Sequence, residues 1–227
     1  MDVSMRFLFD EDAGKETLTL KGESFKYIIK VRRHKVGDEL GFRQKEGGDI
    51  LYRYKIASTD GRSAELDLVS AKEERIAASK PLHIGWCVVD SNVVEKVLPL
   101  LNELGVSKIT FIYCDRSQKN FKPDYKRYDR ILESSMQQCG RSEKMRFDET
   151  KNIEAFIKQN PLTVVFDFCD EVFDGSGDIH TVLIGSEGGF SEAERTLLQK
   201  QKIVRLDTPM ILRSETAATA IASKILL

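Results

Sequence analysis

Two hydrophobic periods divide the chain. In the first part apolar and polar positions alternate: Ile50, Tyr52, Tyr54 and Ile56 are separated by residues such as Arg53 and Lys55, and Ala64, Leu66 and Leu68 by Glu65 and Asp67. A period of two is the mark of strands with one buried face. Asp60-Gly61 sits between the two runs as a hairpin turn, and Gly37-Asp38 and Gly47-Gly48 punctuate the segment before them. The expectation is a small β-barrel over residues 1–70. One helix interrupts it, from Ser24 to Val31, on the apolar positions Phe25, Ile28 and Ile29. Ser70 to Lys80 is charged, then rich in small residues, and stops before Pro81, so residues 71–80 read as a linker and 81–227 as a second domain.

Beyond the linker the pattern changes. Leu82 to Val89, Ile109 to Cys114, Thr163 to Phe168, Thr181 to Ile184 and Ile203 to Leu206 are short apolar runs, as expected of strands covered on both faces. Between them, Val94, Val97, Leu98, Leu101 and Leu104 recur at helical spacing, as do Tyr125, Tyr128, Leu132 and Met136. This predicts an α/β domain around a mostly parallel sheet.

Composition narrows the class. With 227 residues, 41% hydrophobic and 31% charged, the chain has material for a real core, which argues against disorder and coiled coil. No apolar run approaches the roughly 20 residues needed to cross a bilayer. Met1 to Phe9 has no signal-peptide pattern, so a cytoplasmic protein is expected. Cys87, Cys114, Cys139 and Cys169 lie far apart and read as free, buried thiols; with only His34, His83 and His180 besides, no metal site is expected. Net charge is −1, so a nucleic-acid partner would have to meet local patches. Two candidates exist: Arg32, Arg33, His34 and Lys35, and a run through Lys119, Lys122, Lys126, Arg127 and Arg130 that continues to Arg141, Lys144 and Arg146. A solvated helix face or loop is the ordinary account of any single such run.

Ligands of open parallel sheets sit at the carboxyl ends of strands, which directs attention to two loops. The first is Ile184 to Ser191, IGSEGGFS, between an expected strand and helix. Ser191 and Glu194 fit a capping box, but Gly185, Gly188 and Gly189 do not belong to it. These glycines permit left-handed backbone and close approach of a ligand, or serve only a tight turn. The order of the glycines is wrong for GxGxxG and no Gly-Lys-Ser/Thr follows, so neither phosphate-binding fingerprint is present. A buried Glu187 beside the loop amides would repel phosphate and tolerate a neutral or cationic ligand. The second loop is Leu206 to Ala220, LDTPMILRSETAATA, where Arg213 and Glu215 precede a helix expected to bury Ala217, Ala220, Ile221 and Ile225 on one face. Taken alone, Arg213 and Glu215 could be a simple ion pair or helix cap.

Together these segments resemble a known family. IGSEGGFS is similar to its IGPEGGFS signature and ILRSETAATA to its ILRTETA signature, in the same order and at the C-terminal end. NELGV (Asn102 to Val106) and QQCGRS (Gln137 to Ser142) resemble its IELGV and EQCGR(S/N) motifs. Met5-Arg6-Phe7, Glu23-Ser24-Phe25 and Val31-Arg32-Arg33 are similar to its opening. The family is that of the SPOUT-class 16S ribosomal RNA uridine-N3 methyltransferases, and the resemblance covers nearly the whole chain.

The resemblance implies a PUA-like β-barrel that helps bind RNA, followed by a SPOUT domain with a trefoil knot, in an obligate homodimer. It implies S-adenosylmethionine as cofactor, held by Ile184, Gly185, Glu187, Gly188, Gly189, Leu206, Ile211, Leu212, Ser214, Thr216 and Ala217. Arg213, Glu215 and Arg141 are the implied catalytic candidates. Arg32, Arg33, Lys35, Lys119, Lys122 and Arg127 are the candidates for contact with small-subunit ribosomal RNA, in the assembled 30S subunit. The alternatives are a SPOUT enzyme for another base or a ribose, and a catalytically silent RNA-binding homologue. The chain departs from the family pattern at Ser186, where proline is usual. It departs again at Asp207, Thr208, Pro209 and Met210, where Leu-Gly-x-Arg is usual, and at Val93 and Leu100, where lysines are expected.

Overall fold

A computed structural model describes residues 6–45 and 48–227. Met5 of the opening motif and Gly47 of the Gly47-Gly48 punctuation lie outside the described residues. The chain forms two compact units, Met1–Ala77 with Met136–Glu143, and Ala78–Ser135 with Lys144–Leu227.

The first unit is built on a five-stranded mixed sheet in the order β1-β3-β4-β5-β2. Its strands are β1 (Leu8–Phe9), β2 (Thr17–Lys21), β3 (Glu39–Arg43), β4 (Ile50–Thr59) and β5 (Ser63–Glu73). The Asp60-Gly61 turn closes the β4–β5 hairpin, with the Asp60 carboxylate accepting from the backbone of Arg62 and Ser63. Tyr54, Ile56, Ala64 and Leu66 are buried, as alternation predicts, but Ile50 is exposed and Leu51 buried. The cause is a register shift between Arg53 and Tyr54, which changes the strand's phase. Leu51 packs instead with Phe7 and Met136. The helix expected from Ser24 starts earlier, as α1 (Gly22–Phe25), and continues as a π-helical segment, Lys26–Val31.

The second unit is a six-stranded, wholly parallel sheet in the order β11-β9-β10-β6-β7-β8. Its strands are β6 (His83–Cys87), β7 (Lys108–Ile112), β8 (Arg146–Thr150), β9 (Val164–Phe166), β10 (Thr181–Ile184) and β11 (Lys202–Val204). Helices α2 (Ser91–Leu104), α3 (Tyr125–Cys139), α4 (Ile153–Gln159), α5 (Glu192–Leu198) and α6 (Ser214–Leu226) connect and follow them. Each of the five apolar runs holds a strand. Strand β8 has no such run because it is an edge strand with one half-buried apolar residue, Phe147. Core residues fall into two clusters: α2 and α6 contribute to one, α4 and α5 to the other.

The NELGV motif has a structural basis. Asn102 is buried and its amide donates to the Ser135 hydroxyl at 2.9 Å. Gly105 ends α2 in the left-handed conformation, at φ 99°, and a Cβ there would stand 2.6 Å from Ala78 Cβ.

Two expectations are corrected. Cys87 and Cys114 are not free thiols: they form a disulfide, with Cα atoms 5.7 Å apart, because β6 and β7 run side by side and carry both residues to the same end of the sheet. Cys139 and Cys169 are free and half-buried. The buried face of α6 is Ser214, Ala218, Ile221, Ala222 and Ile225, whereas Ala217 and Ala220 are half-buried. The stripe is thus rotated by about one residue, since Ser214 is drawn inward by hydrogen bonds described below. No helix of the described residues is long and apolar enough to cross a membrane.

Candidate active site

A cavity of about 290 Å³ lies in the second unit. Its walls come from the carboxyl ends of neighbouring strands: Phe166, Asp167 and Phe168 after β9, Ile184 to Glu187 with Gly189 and Phe190 after β10, and Arg205 and Leu206 after β11. Thr208, Met210 to Ser214, and Ala217 and Ile221 of α6 complete it. This is where a parallel sheet places a ligand, because strand ends there are free of ladder partners.

The glycine loop is clamped from the β7 side. The Ser186 hydroxyl donates to the Arg116 carbonyl at 3.0 Å, and the Arg116 guanidinium donates to the Gly188 carbonyl at 3.0 Å. A Cβ on Gly188 would meet Arg116 Cβ at 3.1 Å, so the loop from β7 requires a bare backbone there. Gly189 takes a left-handed φ of 64° and donates to the Ser186 carbonyl at 2.9 Å, closing the turn. The capping box then starts α5: Ser191 accepts from the Glu194 amide, and the Glu194 carboxylate accepts from the Ser191 amide. The Ser191 hydroxyl also donates to Asp115, and the Asp115 amide donates to Glu194. Glu187 lies on the cavity wall but is exposed, which corrects the expectation that it is buried: the tight turn faces it outward.

The second loop is tied to the first through Ser214. Trp86 of β6, fully buried, donates from its indole Nε1 to the Ser214 hydroxyl at 2.8 Å, and that hydroxyl donates to the Gly185 carbonyl at 2.5 Å. Arg213 immediately precedes α6 with extended backbone, makes no cap bond and is exposed at the cavity wall. Among the described residues no ion pair joins Arg213 to Glu215, which sits half-buried in the first turn of α6. Met210 and Ile211 are exposed beside it.

Of the expected cofactor residues, Ile184, Gly185, Glu187, Gly189, Leu206, Ile211, Leu212, Ser214 and Ala217 line the cavity. Gly188 and Thr216 do not, and neither does Glu215. Arg141 lies in the first unit, buried, and burial lowers its pKa. Arg32, Arg33 and Lys35 are exposed at the end of the π-helical segment and just beyond it; Arg32 lies over the Tyr27 ring and Arg33 has a left-handed φ of 63°. Lys119 and Lys122 are exposed in the β7–α3 connection, and Arg127 pairs with Glu95 at 2.6 Å.

Sequence reasoning missed Asp167. Its carboxylate is held by both Nε and Nη2 of Arg195, each at 3.1 Å, and its side chain is only 12% exposed. The available signal was its place at the end of an apolar run. Among the described residues no cluster of His, Cys, Asp and Glu could hold a metal ion.

Residues 77–226 match the family described as RNA methyltransferase domain. The ribosomal RNA small subunit methyltransferase E of Helicobacter pylori is 38% identical over 223 residues, covering 96% of this chain and 98% of that protein. A Legionella pneumophila protein solved with the bound cofactor SAM superposes with a TM-score of 0.76 at 20% identity, covering 97% and 96% of the two chains. The ribosomal RNA small subunit methyltransferase E of Neisseria gonorrhoeae, solved bound to S-adenosyl methionine, has a TM-score of 0.74 at 18% identity, covering 96% and 95%. Motif order, strand-end cavity and similarity along nearly the full length agree, and the chain belongs to the ribosomal RNA small subunit methyltransferase E family of RNA methyltransferases.

Proposed function

We propose that this protein uses S-adenosylmethionine to methylate N3 of a uridine in small-subunit ribosomal RNA, acting in the cytoplasm on the assembled 30S subunit. The observation that carries the reading is the cavity formed by the two motif loops, with Arg213 at its wall. The cavity fits the cofactor chemically. Phe166, Ile184, Phe190, Leu206 and Leu212 offer apolar surface for an adenine ring, and the turn from Gly185 to Gly189 brings bare backbone to the wall beside them. The loops carry neither phosphate-binding fingerprint, which suits an adenosyl group that carries no phosphate.

When bound, S-adenosylmethionine supplies an electrophilic methyl group on a sulfonium. The uridine imide loses its N3 proton as the methyl arrives, and negative charge spreads over the two flanking carbonyl oxygens. Arg213, exposed and without an ion-pair partner among the described residues, stabilises that charge in its developing form. Glu215, two residues along, is the candidate that accepts the proton. Arg141 is the second candidate for charge stabilisation. The target base must be unpaired or flipped to expose its Watson–Crick edge.

In the same reading the first unit is a PUA-like RNA-binding domain, the second is a trefoil-knotted SPOUT domain, and two copies assemble as a homodimer. Arg32, Arg33, Lys35, Lys119, Lys122 and Arg127 grip backbone phosphates. Calorimetry with S-adenosylmethionine tests the enzyme reading: saturable binding is expected, and no heat at high cofactor concentration favours a silent RNA-binding homologue.

A further inference from the structure

The cavity's polar side chains differ in what they have left to offer a ligand. Ser186 spends its hydroxyl proton on the Arg116 carbonyl, and Ser214 lies between Trp86 and the Gly185 carbonyl. Thr208 accepts from the Met210 amide, and Arg205 donates to the Leu206 carbonyl. Two carboxylates remain. Glu187 is exposed, where water competes for every acceptor site; Asp167 is sheltered, with its side chain 12% exposed. Arg195 approaches each Asp167 oxygen with one nitrogen, fixing the plane of the carboxylate at the end of β9. A carboxylate has about four acceptor positions, so each oxygen keeps capacity for one more donor.

We infer that Asp167 is a specificity-determining residue that accepts a hydrogen bond from a ribose hydroxyl of the adenosyl cofactor, with Arg195 as its positioning residue. The inference rests on the methyltransferase reading above. Because Arg195 occupies the convergent side of the carboxylate, the remaining acceptor positions diverge, and one fixed oxygen is left to take one hydroxyl of the ribose. The neighbouring apolar walls, Phe166, Ile184 and Leu206, suit the base rather than the sugar. The pair with Arg195 takes one acceptor position on each Asp167 oxygen and leaves one. A purely structural reading, in which the pair only ties β9 to α5, makes a different prediction for ligand discrimination.

The test is calorimetric titration of the full-length protein with S-adenosylhomocysteine and with its dideoxyribose counterpart. Hydrogen bonds to a charged acceptor lead us to expect the wild-type protein to prefer the diol by roughly tenfold or more. Asp167→Asn should shrink that preference to within about threefold, chiefly by weakening the diol ligand. Arg195→Gln should reduce it partially. Equal affinity of the wild-type protein for both ligands overturns the inference even if no variant folds. So does an unchanged ratio in Asp167→Asn accompanied by equal losses of melting temperature in both variants, which is the structural outcome. A wild-type protein that binds neither ligand overturns the methyltransferase reading, and the inference with it.

Discussion

Arg213 and His83 show how differently single residues are readable. Arg213 stands in a motif; that it makes no cap bond and, among the described residues, no ion pair is known only from the structure. If it stabilises charge that develops only during methyl transfer, Arg213→Ala should lower the single-turnover rate by roughly a hundredfold or more. Cofactor affinity should hold if, as proposed, the Gly185–Gly189 backbone supplies that interaction. Arg213→Lys should rescue only in part, since an ammonium lacks the planar fork. Near-normal turnover with a reduced melting temperature would remove Arg213 from the chemistry. His83 carries no sequence signal at all. Burial, then the charge of Lys108, hold its imidazole at about 4 against an ordinary 6.5, and Nε2 lies 2.7 Å from the Thr110 hydroxyl. Between those values the unfolded chain binds more protons, so stability should fall as pH drops from 6.5 towards 4 and level off below. Allowing for its partial exposure, the contribution is on the order of 2 kcal/mol. Urea midpoints of wild type and His83→Gln at neutral and mildly acidic pH check this: the variant should lose part of the acid sensitivity.

Among the elements, those with a strong apolar pattern were legible and strand β8 was not. The apolar runs located β6, β7, β9, β10 and β11 because parallel strands covered on both faces need hydrophobic residues on both. Strand β8 escaped because its one apolar residue is Phe147, which is only half-buried. The α6 stripe was displaced because a hydroxyl, Ser214, outcompeted Ala217 for the interior, and a polar residue with two buried partners is invisible to hydrophobic periodicity. The disulfide between Cys87 and Cys114 depended on strand order, which spacing along the chain does not encode. Ser214→Ala tests the link between the two loops. It leaves the buried indole of Trp86 without its acceptor, so unfolding free energy should fall by about 1–3 kcal/mol. With the Gly185 carbonyl released, cofactor affinity should weaken as well. Unchanged denaturant midpoint and affinity would show that the loops hold together without this relay.

For the molecule as a whole, near-neutral charge sets what RNA recognition requires. Net charge of −1 provides no general attraction to phosphate, so binding must come from local clusters such as Arg32, Arg33 and Lys35 in one unit and Lys119 and Lys122 in the other. Affinity for RNA should therefore fall steeply with salt, and charge-neutralising variants in these clusters should flatten the logarithmic slope by roughly one for each phosphate no longer neutralised. A salt-independent affinity would point to a different surface. Light scattering at micromolar concentration should give about twice the chain mass of 25.8 kDa; a single-chain mass would contradict the dimer. The central claim, methylation of small-subunit ribosomal RNA at uridine N3, is tested most directly by mass spectrometry of that RNA from a strain lacking this protein. The account predicts that 3-methyluridine disappears from the small subunit and returns when the wild-type protein, but not Arg213→Ala, is restored; 3-methyluridine retained at its normal level in the deletion strain would contradict it.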